Sequence, residues 1–144
     1  MFEKKVLIVG NGDIRRVLQL IMDEFGYDVL EASNGNEALK IIRNNDELGL
    51  VVTDHKNMSV MNGMGLIYQL RRPANGMPNG IPVILLCNKL KPAEQNELRQ
   101  YGKVKLLEKP FVVKDLMVAI KAIINPCLKN KRYLNRSSLQ LSAT

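Results

Sequence analysis

Apolar residues along the chain fall into short runs that alternate with stretches of helical period. Val6–Val9, Leu50–Thr53, Val83–Leu86 and Val104–Leu107 are too short for helices and are bounded by turn residues, so they are expected to be buried strands. Tyr27–Glu31 reads as a shorter second strand. Between the runs, Ile14, Val17, Leu18, Ile21, Met22 and Phe25 recur at helical spacing, with Asp13 or Gly12 near the N-cap and Gly26 just past the end. Asn34–Asn44 predicts a second helix that buries Ala38, Leu39, Ile41 and Ile42, and a third is expected near Gly65–Arg71. Residues 71–82, RRPANGMPNGIP, carry three prolines and two Asn-Gly pairs and read as a connecting loop. Pro92–Tyr101 predicts a fourth helix with proline in its first turn. Asp115–Ile124 predicts a fifth, turning Leu116, Ala119, Ile120, Ile123 and Ile124 inward before Pro126 stops it.

Five strands and five helices in strict alternation predict an α/β fold, a doubly wound parallel sheet covered on both faces. In such a sheet functional groups gather at the carboxyl ends of the strands. Those ends are Gly10-Asn11, Asp54, Cys87-Asn88 and Lys109, so a carboxylate and an ammonium from distant parts of the chain are expected on one edge.

Composition narrows the classes. With 144 residues, 46% apolar and 24% charged, the chain suits one globular domain, residues 1–124, followed by a tail or linker over 125–144. No apolar run approaches the roughly 18 residues of a membrane span, and MFEKK leads into the first strand without the apolar core of a signal peptide. Cys87 and Cys127 lack metal spacing, which fits a reduced, cytoplasmic protein with no membrane contact. The net charge of +7 is concentrated at the end: every acidic residue lies at or before Asp115, and Lys129, Lys131, Arg132 and Arg136 follow. That tail is expected to be solvated, and any nucleic-acid contact would come through it or through a further output region.

Several single residues admit sharper readings. Gly10-x-Gly12 after a strand, with Glu31 about twenty residues on, partly imitates a dinucleotide-binding fingerprint. Arg15 stands where the third glycine would permit close helix–strand packing, and no room remains for a catalytic domain, so an enzyme is not expected. His55, the only histidine, is expected to be an exposed loop residue, and Met58, Met61 and Met64 to be packing residues. Cys87 reads as a small buried hydrophobe at a strand end.

LVVTD at 50–54, MNG at 61–63, IPVILL at 81–86, EKPF at 108–111 and SNGNEAL at 33–39, in this order and spacing, resemble the receiver domain of two-component response regulators over residues 4–124. The resemblance implies a flavodoxin-like (βα)5 three-layer sandwich with a five-stranded sheet. It also implies a phosphoacceptor, Asp54, that takes a phosphoryl group from a sensor histidine kinase, with Lys109 and the residue at Cys87 contacting that group. A downstream signalling protein, or a second copy, would dock on the face of the fourth helix, fifth strand and fifth helix. The turn at Lys109-Pro110 resembles one that can be cis.

The departures from that pattern bear on chemistry. The acidic pair that holds Mg²⁺ is replaced by Gly10 and Asn11, in a loop one residue short. Asp13 reads as a helix cap, and Asp54 is left as the only anionic ligand if any Mg²⁺ is bound. The loop after Asp54 has an extra residue near Asn57 and Ser59 in place of a proline, which alters the metal-facing carbonyl near Lys56. Cys87 offers only a weak S–H donor at the switch position, and Leu106 stands where an aromatic rotamer switch is common. A degenerate receiver with weak or absent Mg²⁺ binding, and impaired phosphorylation, is the expectation.

Overall fold

The computed structural model describes residues 4–56, 60–72 and 80–124. The strands β1 (Lys5–Val9), β2 (Val29–Ala32), β3 (Leu48–Asp54), β4 (Val83–Cys87) and β5 (Val104–Glu108) form one parallel sheet in the order β2-β1-β3-β4-β5. Alternation along the strands decides which core each residue joins. Leu7 and Val9 of β1 pack with helices α2 (Gly35–Arg43), α3 (Gly63–Arg71) and α4 (Pro92–Leu98). Val6 and Ile8 pack on the opposite face with α1 (Gly12–Glu24) and α5 (Val113–Ile124). Three layers result, with β3 and β4 buried along almost their whole length because helices cover both faces.

The strand order reverses between β1 and β3, which opens a crevice at their carboxyl ends. Gly10 follows β1 there and Asp54 ends β3. Gly63, at the start of α3, is required by close approach: a Cβ on it would lie 2.5 Å from the Asp54 carbonyl oxygen and 2.5 Å from Leu85 Cδ1. Its N–H donates to the His55 carbonyl at 2.9 Å and closes the β3–α3 connection.

The element boundaries shift for local reasons. Asn11, not Asp13 or Gly12, caps α1: its side chain accepts from the Ile14 N–H at 3.1 Å. Asp13 instead faces solvent and pairs with Arg16. Tyr27 falls outside β2, because its N–H closes the end of α1 on the Met22 carbonyl, around Gly26 at φ 81°. Asn62 caps α3, which begins at Gly63, two residues before the expected start. The fourth helix ends at Leu98, and Arg99–Tyr101 make turn hydrogen bonds. Val17 and Phe25 keep helical spacing but are about half exposed, at 48% and 47%. Of the expected 71–82 loop, residues 73–79 lie outside the described residues, as do Cys127 and the basic tail.

Arg71 ties the ends of that connection to the sheet. Its guanidinium donates to the carbonyls of Ile81 at 2.7 Å and Gly102 at 3.0 Å, and burial lowers its pKa. Removing the side chain leaves carbonyls without their charged donor, so Arg71→Ala is expected to destabilise the fold by about 2 kcal/mol. Urea denaturation at neutral pH measures it.

Candidate functional site

Asp54 is delivered to the carboxyl edge by β3, and the chain turn after β5 delivers Lys109 opposite it. The Lys109 Nζ donates to Asp54 Oδ1 at 2.5 Å. Asp54 is 1% exposed, whereas the Lys109 side chain keeps a quarter of its surface in solvent. The Lys109–Pro110 peptide is cis, and the Lys109 N–H donates to the Cys87 carbonyl at 2.7 Å. A small cleft of about 50 Å³ is lined by Asp54, His55, Lys56, Cys87, Glu94 and Lys109, among others. The convergence expected from strand ends is therefore present: Asp54, Lys109, Cys87 and Lys56 share one cleft.

Gly10 and Asn11 depart from it in opposite ways. Gly10 lies against Asp54, since a Cβ on it would come 3.3 Å from the Asp54 Cβ. The same Cβ would lie 2.3 Å from Cγ2 of Ile14, so an isoleucine methyl fills the room that a side chain at position 10 would need. Asn11 has spent its oxygen on the α1 N-cap. The residues present do not fit a divalent cation: Gly10 brings no donor, Asn11 is engaged elsewhere, and Lys109 already neutralises Asp54. Among the described residues, no group of three or more His, Cys, Asp or Glu is placed to hold a metal.

Arg15 settles the dinucleotide resemblance in physical terms. Its Nε donates to the Gly10 carbonyl at 2.9 Å and its Nη1 pairs with Glu31 at 3.0 Å. The acidic residue that would bind a ribose is thus held by the arginine that replaces the third glycine.

His55 corrects an expectation. It is 4% exposed rather than an open loop residue, because β3 runs into the core up to this point. Its N–H donates to the Leu86 carbonyl, and its Nε2 lies 3.4 Å from Glu94 Oε2 on α4. A carboxylate can only accept, so Nε2 carries the proton in that contact; Nδ1 is buried and has no partner among the described residues. Glu94 itself escaped the sequence reading. Its signal was the capping-box spacing from Lys91, whose N–H it accepts at 2.9 Å.

The Lys91 N–H holds the Glu94 carboxyl below the usual carboxylate range, burial opposes that, and the His55 contact adds to it. A lowered carboxyl pKa stabilises the fold above the unfolded value, and that contribution disappears as pH falls through the folded value. The thermal-midpoint advantage of the natural chain over Glu94→Gln is therefore expected to be full at pH 6 and to begin to fade near the ordinary glutamate value of about 4.3. It is lost only as the pH falls through the lower folded value. Cys87 is 2% exposed, and burial pushes its thiol pKa up, helped by Glu108 and opposed by Lys109. It is a neutral, apolar filler at neutral pH, as expected. Met61 and Met64 pack in the core, while Met58 lies outside the described residues. Leu106 is 39% exposed on β5.

A family model described as the response regulator receiver domain matches residues 6–121. The chain is 30% identical over 122 residues to the chemotaxis protein CheY1 of Helicobacter pylori, covering 83% of this chain and 96% of that protein. It is 31% identical to the probable transcriptional regulator ycf27 of Porphyra purpurea over 85% of this chain but only 48% of that protein, so it spans about half the length of such relatives. Among solved structures, chemotaxis protein CheY4 of Vibrio cholerae superposes with a TM-score of 0.71 at 25% identity, over 83% of this chain and 98% of that one. No helix among the described residues is long and apolar enough to cross a membrane. A parallel β2-β1-β3-β4-β5 sheet, an aspartate at the end of β3 and a lysine after β5 belong together with these matches: the chain is a member of the response regulator receiver domain family.

Proposed function

We propose that this domain acts in two-component signalling by protein–protein contact, in a form that does not depend on Mg²⁺-assisted phosphorylation of Asp54. The observation that carries the reading is the filled position beside Gly10, where Ile14 Cγ2 would lie 2.3 Å from any Cβ. An acyl phosphate needs positive charge to offset its own, and the family supplies much of it through a metal held by acids. Here the Asp54 carboxylate is paired with the Lys109 ammonium, and the space for a second acid beside Gly10 is filled by an isoleucine methyl. Cys87 has no hydroxyl to bond a phosphoryl group, which supports the same reading.

The partners in this proposal are a sensor histidine kinase or a downstream signalling protein in the cytoplasm. A groove of about 440 Å³ between α4, β5 and α5, lined by Leu90, Gln95, Leu106, Val118 and Ala119 among others, supports that face as the docking surface, for a partner or a second copy. Incubation with Mg²⁺ and a small phosphodonor, followed by intact-mass measurement, tests the claim. The expected spectrum shows the unmodified chain; an adduct of about 80 Da on Asp54, one phosphoryl group, would restore the conventional phosphoacceptor reading.

The half-length match to a transcriptional regulator supports a second reading, in which the domain is the receiver part of a DNA-binding regulator with residues 125–144 as its linker. A salt-dependent DNA mobility shift that is lost on removing residues 125–144 is the outcome that reading requires.

A further inference from the structure

We infer that the part-buried His55–Glu94 contact is a mechanical link that carries changes at Asp54 to α4. His55 is the residue directly after Asp54, and three elements meet on it. Its N–H bonds to Leu86 of β4, its carbonyl takes the N–H of Gly63 at the start of α3, and its ring reaches Glu94 in the first turn of α4. Because His55 shares a peptide bond with Asp54 and both its backbone groups are held, a shift of the strand end that carries Asp54 takes the His55 ring with it. Glu94 is held at both oxygens: Oε1 takes the Lys91 N–H that starts α4, and Oε2 faces His55. A displacement of His55 therefore changes the same side chain that fixes the α4 N-terminus.

The alternative links across this edge are weak. Cys87 lines the cleft with Asp54 and Glu94 but has no hydroxyl, and Leu106 on β5 is an aliphatic side chain 39% exposed. In the tautomer that donates to Glu94, the ring leaves Nδ1 as an unpartnered buried lone pair among the described residues. Rotating the ring would bury a donor instead, so the arrangement has one favourable orientation. His55 is thus a positioning residue for α4. The inference concerns how a change at Asp54 travels, whatever produces that change, and it stands apart from the question of phosphorylation.

Hydrogen exchange of the full chain, read by mass spectrometry at one fixed pH, tests it as a double-mutant cycle. Asp54→Asn perturbs the Lys109 pair. In the natural background it is expected to speed exchange of α4 amides by about tenfold, the factor set by losing one hydrogen bond to a charged group, with α2 amides unchanged. In a Glu94→Gln background the same Asp54→Asn change is expected to alter α4 exchange by less than about twofold. The glutamine keeps the acceptor for Lys91, but its amide can meet His55 only by forcing a proton onto the buried Nδ1. His55→Gln is the companion variant; should it fail to fold, the Glu94 arm decides alone, because Glu94 is partly exposed. An equal response of α4 in both backgrounds, or no response of α4 to Asp54→Asn in the natural one, overturns the inference.

Discussion

Lys109→Met is expected to destabilise this domain by about 3 kcal/mol, clearly more than Asp54→Asn, which is expected to cost about 1 kcal/mol. The asymmetry follows from burial. Asp54 has only 2% of its side chain exposed, so without Lys109 a carboxylate is left uncompensated in a largely buried position. Lys109 keeps 25% of its side chain exposed, so without Asp54 its flexible stem can carry the ammonium into solvent. The double variant Asp54→Asn/Lys109→Met is expected to recover much of the loss, because no unpaired charge remains. Urea denaturation of the four proteins at neutral pH reads all three numbers. A Lys109→Met chain as stable as the natural one would mean that the pair does not hold this edge together.

Restoring the missing acid gives the second large effect. Gly10→Asp alone is expected to destabilise by about 3 kcal/mol, since it forces a side chain into space held by Ile14 and sets a second carboxylate beside a buried one. Combining Gly10→Asp and Asn11→Asp with Ile14→Ala removes the obstruction, and aspartate remains a good N-cap at position 11. That triple variant is expected to gain thermal stability with about 10 mM Mg²⁺, while the natural chain gains none. A Mg²⁺-dependent rise in the natural chain's midpoint would show that the apolar filling at position 10 does not govern metal binding. The two experiments separate the Asp54–Lys109 pair from the apolar filling at Gly10, which lies against Asp54.

Much of this was legible in one dimension. Short apolar runs alternating with helical stretches led to the five-stranded parallel sheet, because strands covered on both faces must be nearly continuous in apolar residues. Asp54 and Lys109 were found for the same reason: both lie at strand ends, and a parallel sheet brings all its carboxyl ends to one edge. The boundaries were less legible, since caps depend on which of several polar neighbours the backbone selects. Asn11, Gly12 and Asp13 all suit a helix start, and only the chain's exit from β1 chose Asn11.

His55 and Ile14 mark the limit more sharply. A histidine after a strand is exposed or buried according to where the next element crosses it, and α4, nearly forty residues away, supplies the answer through Glu94. Ile14 looked like one more apolar position of an amphipathic helix. Its methyl fills the place beside Gly10, where a Cβ would also lie 3.3 Å from the Asp54 Cβ.

The order of strands and helices, the two cores and the charged pair at the sheet edge follow from sequence, because period and strand-end position are local properties that a parallel topology carries into space. What occupies the room beside that pair is not local. The contacts of Ile14 with Gly10, Arg15 with Glu31 and His55 with Glu94 join residues from different elements or across a turn, and only packing in three dimensions decides them.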